Sequence, residues 1–270
     1  MLLCTDELRS TNPQFKLDVR PNVATEVAKA MIEGRSQLAP ITREFKPDEL
    51  AAFTAKWGYA PTRVAIGMDA LVILVQKNNP IKEIKIEQLD AAWTTTRKNG
   101  WPKDIATWGD LGVSNGNWAL RPIICIDRPE GSGLREFFKQ TVTLGGKHKD
   151  TNRPSTDSAT LVEEIASNQA AIGYGSLSEV FNITRAVGVI PVGGKLTIDP
   201  TRENVANGTY PLARVIYIYF NRAPGRPILP PVLEFMRFML SPRGQRQMEL
   251  AGLVALPPDL MEMNTRRLAN

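Results

Sequence analysis

Helical and strand patterns alternate along almost the whole chain, which predicts an α/β protein with mainly parallel sheets. Two observations add to this. Long β-rich runs over residues 64–75 and 210–221 are candidates for crossings between two lobes. The 270 residues suffice for one large core or two domains of ordinary size, and no internal repeat or low-complexity segment interrupts them.

The elements follow in order. Residues 7–12 end a helical pattern, and Phe15, Leu17 and Val19 alternate with polar residues as in a half-buried strand. Residues 25–33 read as a helix with Val27, Ala30 and Met31 on one face and Gly34 just past its end. Pro47 sits in the first turn of another helix. The run 64–75 holds two apolar pieces around Gly67 and Asp69, Asn78 to Ile81 make a turn, and residues 86–93 form a short helix. Residues 94–120, rich in Gly, Asn, Thr and Trp, read as an irregular surface excursion. A buried strand ends at Ile126, and helices are expected over 134–143 and 158–167 with a polar loop between them. A short strand over 170–175, the β-rich run 210–221 and helices over 231–240 and 243–251 complete the series.

Composition narrows the function. Hydrophobic residues make up 43% and charged residues 23%, as in soluble globular proteins, and the longest apolar run, 70–75, is strand-sized. The net charge of +5 comes from Lys and Arg scattered among acids. With no basic tail and no aromatic-basic module, this speaks against a nucleic-acid partner and for a mild attraction of small anions. Two cysteines make neither a disulfide framework nor a metal-ligand spacing, and Cys125 lies inside an apolar run as a small buried hydrophobe. His148, the only histidine, lies in a polar loop and is expected to be solvated. That leaves little for a histidine metal site or a Ser-His-Asp triad. The stretch Met1-Leu2-Leu3-Cys4 is too short for a secretory signal.

The most informative segment is Asp127-Arg128-Pro129-Glu130-Gly131-Ser132-Gly133-Leu134-Arg135. A strand, a glycine-permissive turn and a helix start present free backbone N–H groups, favoured by the helix dipole, to an anion. Ser132 adds a hydroxyl and Arg128 a planar fork of donors. Leu134 and Arg135 stand where a nucleotide-binding loop would carry its lysine, so a small tetrahedral anion fits better than a nucleoside triphosphate. Hydrolysis by Ser132 or Ser176 is disfavoured, because neither lies in a Gly-x-Ser-x-Gly elbow and His148 is the sole histidine base. Glu163 and Glu164 read as a solvated helix face, so the chain is not expected to be an enzyme.

Several segments together resemble the PstS-like family, the periplasmic solute-binding proteins of bacterial phosphate ABC importers. They are Glu33 through Glu44, with Ala39-Pro40-Ile41-Thr42-Arg43; Asp69 through Val75, with Asn79-Pro80-Ile81; Arg128 with Gly131-Ser132-Gly133; Ala171-Ile172-Gly173-Tyr174; and Phe238-Met239-Leu240-Ser241-Pro242-Arg243-Gly244-Gln245. They occur in the family's order over nearly the whole chain.

The resemblance implies a two-lobed periplasmic-binding-protein-like fold of type 2, with a mainly parallel sheet in each lobe and a hinge. Lobe 1 would comprise residues 1–75 and 212–270, and lobe 2 residues 76–211. It implies phosphate or a similar oxyanion in an inter-lobe cleft, a membrane permease as partner, no cofactor, a monomer, and a periplasmic or cell-surface location. Carried over by position, Thr25 and Thr42 donate from the first lobe, and Arg128, Ser132 and Gly133 from the second. Arg43 stands where some members place an aspartate that accepts the phosphate proton; it would attract any anion without supplying that discrimination. Leu134 replaces a hydroxyl residue, and the family's first strand and Gly-Ser-x-Thr loop have no counterpart before Met1. These departures motivate an alternative, an interaction or sensory protein on the same fold with an altered or lost anion site.

Overall fold

The structure is a computed structural model and describes residues 2–20, 22 and 24–269. In chain order the elements are α1 (Leu2–Thr11), α2 (Ala24–Ile32), β1 (Leu38–Ile41), α3 (Pro47–Trp57), β2 (Thr62–Gln76), β3 (Glu83–Lys85) and α4 (Ile86–Trp93). There follow β4 (Ile124–Asp127), α5 (Gly133–Thr141), β5 (Arg153–Pro154), α6 (Ser158–Ser167), β6 (Ala171–Ser176), β7 (Thr184–Ile190) and α7 (Arg202–Ala206). The chain closes with β8 (Ala213–Phe220), α8 (Pro230–Met239), α9 (Pro242–Leu250) and α10 (Pro258–Ala269). It divides into two compact units, Met1–Asp69 with Arg214–Asn270, and Ala70–Ala213. The chain is thus α/β, as the alternation of patterns predicts.

Local chemistry explains most boundaries. Pro47 occupies the first turn of α3, and Gly58 ends it with φ 82°, where a side chain would be strained. Asp157 and Ser241 cap α6 and α9 through side-chain oxygens that accept from Thr160 N and Gly244 N. β2 is one 15-residue strand rather than two pieces around Gly67, because it is buried almost throughout and needs no polar face.

The first unit packs α2 and α3 on β1 and β8, which pair antiparallel from Leu38 opposite Phe220 to Ile41 opposite Tyr217. Its core holds Ala28, Met31, Ile41, Phe45, Phe53 and Tyr219. Gln245, 4% exposed, donates to the Ile66 and Met239 carbonyls and accepts from Leu256 N, joining β2, the end of α8 and the segment after α9. The glycine before it lets α9 start this close to α8, since a Cβ on Gly244 would run into the Phe238 carbonyl oxygen, with Met239 Cα at 2.9 Å. Gly244→Ala is therefore expected to cost about 1–3 kcal/mol through overpacking, measurable as a lower urea midpoint.

In the second unit β4 pairs parallel with both β6 and β5, and β3 parallel with β7. β2 runs antiparallel to β6 and β7. Every antiparallel strand pair described thus involves β2 or β8, the runs in which the chain passes between units. Phe138 stacks on Tyr174 with ring centroids 4.1 Å apart, and Trp93 meets both edge-on.

Several expectations need correction. Residues 12–20 form no strand; Phe15 is buried because it stacks on Phe235 of α8, not because of sheet pairing. The excursion 94–120 is irregular as expected, but Ile105, Trp108 and Leu111 bury themselves and pin it to the unit. β7 and α10 are additional elements that the sequence patterns did not signal. Among the described residues no helix is long and apolar enough to cross a membrane.

A candidate anion-binding site at the β4–α5 connection

β4 is buried and delivers Asp127 and Arg128 to the end of a parallel pair. The chain then turns at Gly131, whose φ of 77° suits glycine, and enters α5. Ser132 is the N-cap: its backbone is extended and its hydroxyl accepts from Arg135 N at 3.2 Å. Gly133 opens the nine-residue helix, and the amides of Gly133 and Leu134 have no protein acceptor among the described residues. The helix dipole adds partial positive charge at the same point.

Arg128 is 4% exposed. Its Nη2 donates to both carboxylate oxygens of Glu179 at 2.8 and 2.6 Å, and its Nη1 to the Ser158 hydroxyl at 2.8 Å. Its Nε–H is buried and has no acceptor. Ser158 begins α6, while Glu179 also accepts from Ser176 N at 3.0 Å, closing a Ser-x-x-Glu cap. The guanidinium is thus fixed in direction from two elements, with part of its donor set uncommitted. Arg135 Nη1 donates to the Arg128 carbonyl at 2.6 Å, its Nη2 lies 3.0 Å from Glu130, and its Nε–H is likewise buried without a partner.

Asp127, 3% exposed, accepts from the Tyr174 hydroxyl at 2.8 Å and lies 2.7 Å from His148 Nδ1. The expectation of a solvated His148 is therefore wrong: the loop folds back and its side chain is only 11% exposed. Burial pushes the Asp127 carboxyl up, but the hydrogen bonds from His148 and Tyr174 and the Arg135 charge outweigh it and hold the group below the ordinary range. Burial, then the neighbouring Asp127 charge, push the Tyr174 hydroxyl well up, so it stays a donor at neutral pH. Cys125 is buried as expected, and burial raises its thiol as well.

The lowered Asp127 value sets a sign. Its stabilisation is fully present above the unfolded carboxylate value, about pH 4, and is lost as pH falls through the lower folded value. The stability gap between wild type and Asp127→Asn should therefore be open at neutral pH and narrow well below about pH 4. Urea denaturation at a series of pH values measures it, and a gap independent of pH would contradict the argument.

The remaining candidates lie in the first unit. Thr25 is half-buried in the first turn of α2, and the position before that helix falls outside the described residues. Thr42 follows β1, half-buried, with its carbonyl 3.5 Å from Arg214 Nη1. Arg43 is 6% exposed, and Glu49 engages both of its Nη atoms at 2.7 Å. Glu49 also accepts from Lys46 N, so Arg43 ties the end of β1 to the start of α3. The fold thus brings Arg128, Ser132 and Gly133 together in one connection and Thr42 and Arg43 in another. The sequence reading quoted Asp127 and Tyr174 within informative segments but gave no role to them or to Ser158 and Glu179. Glu179 carried a local signal of its own, the cap spacing from Ser176.

Comparisons with known proteins show the family. Residues 1–243 match the model of the PBP superfamily domain. Over 268 residues, 99% of this chain and 83% of the relative, the sequence is 32% identical to the phosphate-binding protein PstS of Pseudomonas aeruginosa. A Clostridium perfringens structure described as a phosphate ABC transporter substrate-binding protein with bound phosphate superposes with a TM-score of 0.76. The two are 26% identical, and the match covers 94% of this chain and 93% of that one. An ABC-type phosphate transport receptor from Vibrio cholerae shares the fold, with a TM-score of 0.73 at 19% identity over 95% of each chain. With these matches over nearly its full length, the chain belongs to the PBP superfamily and, within it, to the PstS-like phosphate-binding proteins.

Proposed function

We propose that this chain is the solute-binding component of a phosphate ABC importer and captures phosphate or a similar oxyanion. The observation that carries the reading is the β4–α5 connection. It combines a buried Arg128 held in one orientation, a buried unpartnered Nε–H, and the open amides of a helix N-terminus. Thr25, Thr42 and Arg43 of the first unit are the further candidate donors, as the family resemblance implies, with closure about a hinge. Glu49 offsets the Arg43 charge and engages both Nη atoms, which leaves the buried Arg43 Nε–H as its uncommitted donor.

Because Glu179 offsets the Arg128 charge, affinity would come from directed N–H and O–H donors more than from net charge. A micromolar site needs about 8 kcal/mol, which four or five charge-assisted bonds of roughly 1.5–3 kcal/mol each can supply. The protein would bind and release its anion without chemistry, as a monomer in the periplasm or at the cell surface, and hand it to a membrane permease. Isothermal titration calorimetry of the purified chain with phosphate, with sulfate as control, tests this. Saturable one-site phosphate binding is expected. Heat from neither anion would overturn the reading.

A further inference from the structure

Beside the β4–α5 connection lies a buried polar cluster, none of whose side chains is an expected ligand, that holds both backbone groups of Arg128. The Tyr174 hydroxyl donates to Asp127 Oδ1 at 2.8 Å and accepts from the Arg128 N–H at 3.4 Å. On the other side, Arg135 Nη1 donates to the Arg128 carbonyl at 2.6 Å, and its Nη2 stands 3.9 Å from the Asp127 carboxylate. Asp127 is in turn held by His148 Nδ1 at 2.7 Å and by Asn152 Nδ2 at 3.5 Å.

The parts come from separate elements: β4 supplies Asp127, β6 Tyr174, α5 Arg135, and the loop before β5 His148 and Asn152. Packing fixes the rings. Phe138 lies parallel to Tyr174 at 4.1 Å and edge-on to His148 at 6.3 Å, and a bridge from Thr94 to His148 pins the loop.

We propose that Asp127, Tyr174 and His148 are positioning residues for anion capture. They hold the Arg128 backbone, so that its side-chain donors and the α5 amides keep a fixed mutual geometry. This rests on the phosphate-binding reading above. A donor set binds tightly only when the shell behind it is locked. Here the Asp127 carboxylate fixes the Tyr174 hydroxyl that holds the Arg128 N–H, and it stands beside Arg135, which holds the Arg128 carbonyl and also pairs with Glu130. A cluster that served stability alone would lower the denaturation midpoint when damaged and leave the affinity of the folded protein unchanged.

Phosphate titration calorimetry and thermal denaturation of the full chain separate these cases. Tyr174→Phe removes only the hydroxyl and keeps the ring on Phe138. His148→Leu removes the hydrogen bond to Asp127, and His148→Asn restores a donor near the Nδ1 position. Tyr174→Phe and His148→Leu, while folded, should each raise the phosphate dissociation constant about tenfold or more, and His148→Asn should recover most of that loss. If His148→Leu does not fold, Tyr174→Phe decides. Folded variants that bind within about twofold of wild type, or a His148→Asn as weak as His148→Leu, would overturn the proposal and leave the phosphate reading standing. A wild-type chain that gives no heat with phosphate would remove both.

Discussion

Arg128→Ala should raise the phosphate dissociation constant at least about a hundredfold, equivalent to roughly 2.8 kcal/mol. Part of the loss is direct, because the charge-assisted donors of a residue only 4% exposed disappear. The larger part comes from what remains. Glu179, whose side chain is 16% exposed, loses its counter-charge and keeps only the Ser176 amide, so a carboxylate without a cation then opposes the arriving anion. Arg128→Ala combined with Glu179→Gln should therefore bind phosphate better than Arg128→Ala alone. Arg128→Lys should fall between wild type and the alanine variant, since one ammonium cannot reproduce a planar fork shared between Glu179 and Ser158. Calorimetric titration of the variants measures all of this. An Arg128→Ala protein with unchanged affinity would remove the β4–α5 connection from the site.

The second large effect is on stability. Asp69 and Arg214 are respectively the last residue before the chain leaves the first unit and the first after it returns. Their side chains are 2% and 5% exposed, and Arg214 Nη2 and Nε donate to Asp69 Oδ2 at 2.5 and 3.1 Å. Asp69→Ala would leave the guanidinium buried without its carboxylate and should cost about 3–5 kcal/mol. Replacing both residues, Asp69→Leu with Arg214→Met, should recover most of that loss, since the desolvation of two charges goes with them. Urea denaturation reads both results. A single variant costing under about 1 kcal/mol would show that the pair is solvated in solution.

These two sites also show where sequence reading works. The spacing of apolar residues and the capping chemistry of Ser132, Asp157 and Ser241 act over three or four positions, so α5, α6 and α9 were legible to within a few residues. So was the loop at Gly131 to Gly133, because its conformation is dictated by glycines that no neighbour has to supply. The alternation at Phe15, Leu17 and Val19 misled, since an apolar residue every second position is satisfied as well by packing on α8 as by a sheet. The irregular region around Trp108 looked like surface because burial there comes from contacts outside its own periodicity.

By itself, then, the sequence determined the α/β class, the family and the glycine-serine turn that opens α5, all of which rest on short-range pattern and on residue types at fixed spacing. The tertiary structure decided which side chains control that loop. Ser158 and Glu179 lie 30 and 51 positions from Arg128, and His148 lies 21 from Asp127. Such pairs form only when strand order brings their elements together. Their partners are then chosen by the need to satisfy buried charge, which no local pattern along the chain records.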